Sequence, residues 1–114
     1  MWNRKDTIAG VRLLTWNLWW RFGDHWKDRQ ATIAAEVSRV DADVCAFQEV
    51  FCVDSHDQLD MLRTATGFDG VATMYQGERV RFGNALLSRY PLRNVIQLRL
   101  PAEDGSPGHR SAIV

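Results

Sequence analysis

Residues 41–50 read DADVCAFQEV, and within them VCAFQEV, residues 44–50, reads as an apolar strand that ends on two polar side chains, Gln48 and Glu49. The stretch upstream, VRLLTWNL (residues 11–18), follows Gly10 and has the composition of a strand buried on most of both faces. Between them, DHWKDRQATIAAEVSRV (residues 24–40) changes period. Trp26, Gln30, Ile33, Ala34, Val37 and Val40 recur at three- and four-residue steps, with Arg29, Glu36 and Arg39 on other faces. This pattern predicts an amphipathic helix capped by Asp24 or Asp28. Strand, helix and strand in that order predict a right-handed parallel crossover.

The alternation continues downstream. SHDQLDMLRTATG (residues 55–67) places Leu59, Leu62 and Ala65 on one face, with Ser55 or Asp57 as a cap and Gly67 as a stop. GVATMY (70–75) reads as a strand, QGERVRFG (76–83) as a polar turn or loop, and NALLS (84–88) as another strand. The last two strands either pair as a hairpin or lie one strand apart. Pro91 breaks the chain, NVIQLRL (94–100) alternates as a half-exposed strand does, and PAEDGSPG (101–108) is a loop before the strand HRSAIV (109–114). No repeat, low-complexity tract or interdomain linker interrupts this order.

Bulk properties narrow the class. A chain of 114 residues, 46% hydrophobic and 25% charged, suits one globular domain rather than a disordered segment. Fourteen basic residues balance fourteen acidic ones, so no global field draws in a polyanion, and any such contact is local. Cys45 and Cys52, seven apart, fit neither a disulfide framework nor zinc spacing and read as reduced thiols. The start lacks an apolar signal region and no segment approaches the ~18 apolar residues of a membrane span. The expectation is a cytoplasmic protein.

Asn17 sits inside the tryptophan-rich run TWNLWW (residues 15–20). Asparagine is depleted in strands, and a buried amide is costly unless its hydrogen bonds are met. Ligands of open α/β sheets gather beyond the carboxyl ends of strands, where Asn17 and Glu49 are both expected. Two such ends side by side offer hard oxygen ligands for magnesium or manganese. Spacing alone equally allows Asn17 to be satisfied by loop backbone and Glu49 to pair with an arginine. Trp16, Trp19, Trp20 and Trp26 read as core or loop-base residues, or as a base-stacking surface. His25, His56 and His109 lack metal-ligand spacing and read as surface imidazoles. Arg79, Arg81, Arg89 and Arg93 form a local basic cluster, either a solvated edge or a phosphate contact.

Three words occur in order: LLTWNLWW (13–20), DADVCAFQEV (41–50) and GNALLSRYPL (83–92). Together they resemble the amino-terminal half of the endonuclease/exonuclease/phosphatase superfamily. The resemblance implies an α/β fold, half of a four-layer α/β-β/α sandwich, with one mixed sheet and helices on one face. It implies a metal-dependent phosphoester hydrolase of the nuclease or phosphodiesterase kind, using Mg2+ or Mn2+. Glu49 takes the place of the metal-binding carboxylate and Asn17 that of the amide orienting the metal site. Gln48 and Asn84 take supporting places. Arg110 matches an arginine that supports phosphate or neighbouring acids, although a solvated strand-start arginine is the alternative. Substrates across the superfamily include nucleic acid, phospholipid head groups and inositol phosphates. The family's later motifs, an asparagine-histidine strand, an aspartate-x-asparagine and a terminal aspartate-histidine pair, do not occur in residues 1–114. The chain is therefore expected to be the amino-terminal part of a single domain, inactive alone, with the carboxy-terminal half as a partner. The alternative is a non-catalytic phosphate- or metal-binding or structural fragment. A further expectation is an apolar sheet face, built by the first, second and NALLS strands, that no helix covers.

Overall fold

The computed structural model describes residues 10–53, 55–76, 81–105 and 107–114, with the side chains of residues 74–76 and 107–111 outside that description. The elements run β1 (Leu13–Asn17), α1 (Trp26–Val40), β2 (Val44–Val53), β3 (His56–Asp57), α2 (Gln58–Thr66), β4 (Asp69–Gln76), β5 (Arg81–Ser88), β6 (Gln97–Pro101) and β7 (Pro107–Ile113). β1 and β2 are parallel, joined through α1 as the crossover reading requires. β5 lies antiparallel between β2 and β4, giving the order β1-β2-β5-β4, with the short β3 paired to the end of β2. The sheet is mixed, as expected. β6 and β7 form a second, two-stranded antiparallel sheet.

Pairing register determines which side chains share a face. Leu14 and Trp16 align with Cys45 and Phe47, and these with Leu87 and Ala85. This face is the core. Ile33 and Val37 of α1 and Leu62 of α2 are buried against it, with Leu59 and Val40 packed at its margin. α2 approaches so closely that a Cβ on Gly70 would stand 3.3 Å from Leu59, Arg63 and Leu87 side-chain atoms. Only glycine fits there without displacing a neighbour. The opposite face carries Leu13, Thr15 and Asn17 beside Val44, Ala46 and Gln48, then Leu86, Asn84, Val71 and Thr73. Neither helix lies on this side, and Leu13 is 72% exposed. This helix-free face has the anticipated strands, but it is not bare: Thr73 is buried, β7 packs against β4 and β5, and Thr15, Asn17, Gln48 and Asn84 interrupt its apolar surface.

One buried acid ties the sheet together at its far end. Asp43 is 1% exposed and accepts from the Arg12 backbone at 2.8 Å and from Arg89 Nε at 3.1 Å. Arg89 also bonds Asp41 and lies over the Phe68 ring. A buried carboxylate with charged and backbone partners is tolerable, and here it joins the starts of β1 and β2 to the end of β5.

Several boundaries depart from the sequence reading. α1 starts after His25, with no side-chain cap, so neither Asp24 nor Asp28 fills that role. Asp57 does cap α2, accepting from Asp60 N, and Gly67 ends it at φ 70°. On α2 the buried residues are Gln58 and Leu62, whereas Ala65 is exposed. Residues 81–83, read as loop, belong to β5 because pairing with both β2 and β4 outweighs their polar, glycine-containing composition. Residues 77–80 of that loop lie outside the described residues. β7 begins at Pro107 rather than His109, and β6 begins at Gln97 rather than Asn94. Most consequentially, β2 does not end at Val50 but runs to Val53 through an irregularity at Gln48 and Glu49.

Candidate metal and phosphoester site

Phe47 pairs with Ala85 and Val50 with Gly83, so Gln48 and Glu49 together face the single residue Asn84. This is a β-bulge, and Glu49 occupies it at φ 55°. β1 ends against the same spot. Leu18 N donates to Gln48 O at 2.9 Å and Trp20 N to Glu49 O at 3.0 Å. The backbones of Asn17 and Glu49 thus meet at one end of the β1–β2 seam, with Asn17 in register with Gln48.

Backbone strain concentrates here. Trp19 at φ 60°, Trp20 at φ 44° and Glu49 at φ 55° all adopt the left-handed region. Each costs about 1–2 kcal/mol for a residue with a bulky side chain. The other non-glycine residues of positive φ among those described are Asp41 and Asn94, whose side chains tolerate that conformation better. Arg29, one turn into α1, holds the strained loop: its guanidinium donates to Phe22 O at 2.6 Å, Trp20 O at 3.3 Å and Trp19 O at 3.4 Å. It also lies 5.0 Å from the Trp19 ring centroid.

The side chains expected at the site are placed as follows. Glu49 Oε2 is buried and has no hydrogen-bond partner. Asn17 Oδ1 accepts from Trp19 N at 2.8 Å, which answers the loop-backbone alternative and leaves its second lone pair free. Gln48 Nε2 donates to Thr15 Oγ1 at 3.2 Å and to Ala46 O at 3.3 Å, so these bonds fasten β1 to β2 rather than reaching the Glu49 carboxylate. Asn84 is half-buried opposite the bulge. Arg110 lies in β7, and its side chain falls outside the description, as does that of His109. His25 and His56 are exposed. Arg81 donates to Cys52 Sγ at 2.9 Å, Arg89 is engaged by Asp41 and Asp43, Arg93 is exposed, and Arg79 is among the residues outside the description.

Three aromatic residues join Glu49 around a cavity of about 220 Å³: Trp20, Phe22 and Phe82. The Trp20 ring meets Phe22 at 5.2 Å and Phe82 at 6.2 Å, both edge to face. Trp20 Nε1 is buried without a partner. Of the tryptophans read as core or loop-base residues, Trp16 packs on the core and Trp26 on Phe51, while Trp19 is exposed and Trp20 lines the cavity in the loop after β1. Phe22 and Phe82 were not legible in the sequence, because two lone aromatics sixty residues apart carry no periodic signal. Both cysteines are buried free thiols. Among the described residues no three His, Cys, Asp or Glu side chains converge into a metal cage. Among the described residues no helix is long and apolar enough to cross a membrane.

The chain belongs to the Endonuclease/Exonuclease/phosphatase family, whose sequence profile matches residues 14–112. The fold agrees. The human Nocturnin catalytic domain, solved with a bound sulfate anion, superimposes with a TM-score of 0.70 at 22% identity, covering 90% of this chain and 42% of that one. An endonuclease/exonuclease/phosphatase family protein from Leptotrichia buccalis gives 0.65 at 14% identity over 91% and 47%. ANGEL2, a 2',3'-cyclic phosphatase in complex with adenosine-2',3'-vanadate, gives 0.64 at 19% identity over 82% and 32%. The chain therefore spans between about a third and a half of these structures. No curated protein sequence gives a significant match.

Proposed function

We propose that the chain carries the metal-binding side of a divalent-cation-dependent phosphoester hydrolase. The observation that supports this reading is Glu49: a carboxylate oxygen withdrawn from water, given no partner, and held on a strained bulge. A buried carboxylate oxygen without a partner costs about 1–3 kcal/mol, and a cation is a partner that offsets it. The donor set fits Mg2+ or Mn2+. Magnesium takes oxygen ligands, keeps several waters and needs only one or two carboxylates from the protein. Glu49 would hold it and Asn17, through its spare lone pair, would orient it or its water. When bound, such an ion supplies positive charge at the phosphoryl oxygens, where hydrolysis develops negative charge.

The remaining residues position and shield. Arg29 fixes the 19–22 loop, the Gln48 bond to Thr15 fixes the strand seam, and the three aromatics keep water from one side of the carboxylate. Asn84 faces the bulge and limits how far Gln48 and Glu49 can shift. Arg110 is proposed as a support for phosphate from β7. The substrate class we favour is a nucleotide or nucleic-acid phosphoester rather than a phospholipid or inositol phosphate, in line with the adenosine-vanadate held by ANGEL2.

The water-activating base and transition-state histidine of the family have no counterpart in residues 1–114, so we propose that this chain needs a carboxy-terminal half to turn over. Assay with bis-p-nitrophenyl phosphate and Mg2+ tests it. The 114-residue chain should show no turnover above its Glu49→Gln variant. A longer chain carrying the later motifs should hydrolyse the ester and lose about a hundredfold or more with the same substitution. Turnover by the short chain that survives Glu49→Gln would contradict both the site and the division of labour.

A further inference from the structure

We infer that Gln58, backed by Gln30, is a positioning residue for Glu49: it fixes the β2 bulge in the conformation that presents the carboxylate to a cation. The inference deepens the proposed function and rests on it for the metal, while the bulge itself is readable without one.

A gap in strand pairing creates the need. The parallel register of β2 with β1 ends at the Asn17–Gln48 pair, and its pairing with β3 begins only at Cys52. Val50 and Phe51 fall between the two, both fully buried and directly after the left-handed Glu49. A buried backbone N–H without an acceptor is costly. Gln58 Oε1 takes the place of a strand there, accepting from Phe51 N at 3.2 Å.

The direction of this bond is enforced from behind. Gln58 Nε2 donates to Gln30 Oε1 at 2.9 Å, and Gln30 Nε2 donates to Trp26 O at 2.8 Å. A carbonyl only accepts, so Gln30 must turn its nitrogen to Trp26 and its oxygen to Gln58. Gln58 is left with its own oxygen facing Phe51. Both glutamines are buried, which keeps water from competing for the relay. Two leucines would fill the same space and leave the Phe51 amide orphaned.

Holding Phe51 holds Glu49. A bulge relieved by a one-residue slip turns every later side chain to the other face. In β2 the slip would carry Phe51 away from the Trp26 ring, which it meets at 5.3 Å, and return Glu49 to an extended backbone. Gln58 opposes the slip because it opens α2, a helix anchored in the core through Leu62. A left-handed residue with a bulky side chain persists only where its surroundings over-determine it. Here Trp20 N holds Glu49 O from the loop after β1, and Gln58 holds the strand two residues on.

The test compares isotopically labelled 114-residue chains. Gln58→Met keeps the side-chain length without an oxygen acceptor, Gln30→Met removes only the backing, and Leu59→Ala trims packing from the same helix without touching the relay. Without metal, the three-bond amide–Hα coupling of Glu49 reports its φ, and should move from left-handed to extended values in Gln58→Met but not in Leu59→Ala. With Mn2+, the concentration that half-broadens the signals of residues 17–20 and 48–50 should rise about tenfold or more in Gln58→Met, the loss expected when a partner behind a metal ligand is removed. The rise should be smaller in Gln30→Met and absent in Leu59→Ala. Equal losses in Leu59→Ala would overturn the inference by reducing Gln58 to packing. Should Gln58→Met fail to fold, Gln30→Met decides: weaker Mn2+ response supports the relay, and an unchanged one overturns it. A native chain that Mn2+ does not broaden would sink the metal reading, whereas a native response that Gln58→Met retains, with Glu49 still left-handed, would sink the positioning role alone.

Discussion

Glu49 combines two unfavourable features that matter only together: a left-handed backbone and a carboxylate oxygen buried without a partner. Stability alone would select against both, and functional sites are where such costs are retained. Neutralising the side chain while keeping its shape should therefore stabilise the metal-free chain. Glu49→Gln is expected to raise unfolding free energy by about 1 kcal/mol in urea titrations without added metal, and loss of stability would mean that the carboxylate has a partner after all. The residue was legible in the sequence through its setting, QEV closing an apolar run. Its conformation was not, because a bulge is a mismatch in pairing with Asn84 on β5, a strand more than thirty positions away. Asn17 was legible as an anomaly, and its bond to Trp19 N is the kind of local turn that asparagine side chains make.

Among elements, the two helices were readable from period and the strands from composition, while edges and caps were not. The unread contacts are long-range. Gln30 and Gln58 illustrate this: both are buried, Gln58 Nε2 donates to Gln30 Oε1 at 2.9 Å, and Gln58 Oε1 accepts from Phe51 N at 3.2 Å just beyond the bulge. Gln30 Nε2 in turn donates to Trp26 O. This relay joins α1, α2 and β2. Gln58→Leu leaves the Phe51 amide and Gln30 oxygen unsatisfied and should cost about 2–4 kcal/mol, measured by chemical unfolding. A change under about 0.5 kcal/mol would show the network to be dispensable. β2 also carries both thiols. Burial pushes the Cys45 thiol up, and burial followed by the nearby Asp57 raises that of Cys52. A thiol raised in the folded state stabilises below its ordinary value and loses that contribution as pH climbs through the folded one. Stability should thus fall as pH rises above about 8.5 more steeply in the native chain than in a Cys45→Ala variant. Parallel slopes would contradict the assignment.

At the scale of the molecule, the helices cover one face of the main sheet and leave the other, from Leu13 to Val71, without a helical layer. β7 packs against β4 and β5, and Gln97 Nε2 reaches Ala72 O, so the second sheet covers part of the chain's width. Leu13 and Val11 stay exposed at the β1 edge, and Ile96, Leu98 and Leu100 along β6. Exposed apolar area of this kind favours association. The chain should bind hydrophobic dye and self-associate at tens of micromolar, as order of magnitude, and Leu13→Lys should reduce both. Sedimentation as a dye-silent monomer would show the face to be adequately covered. The architecture was legible because strand, helix and strand succeed one another with clear changes of period. The β6–β7 sheet was less so, since its residues are exposed and its pairing depends on a register break near Pro101.

The central claim is that Glu49 holds a divalent cation at the β2 bulge. Mn2+ titration of labelled native and Glu49→Gln chains, followed by paramagnetic broadening of backbone amide signals, tests it most directly. Broadening is expected to centre on residues 17–20 and 48–50 in the native chain and to be lost in the variant. Broadening that persists in Glu49→Gln, or that centres instead on Asp41 and Asp43 or on Asp57 and Asp60, would contradict it.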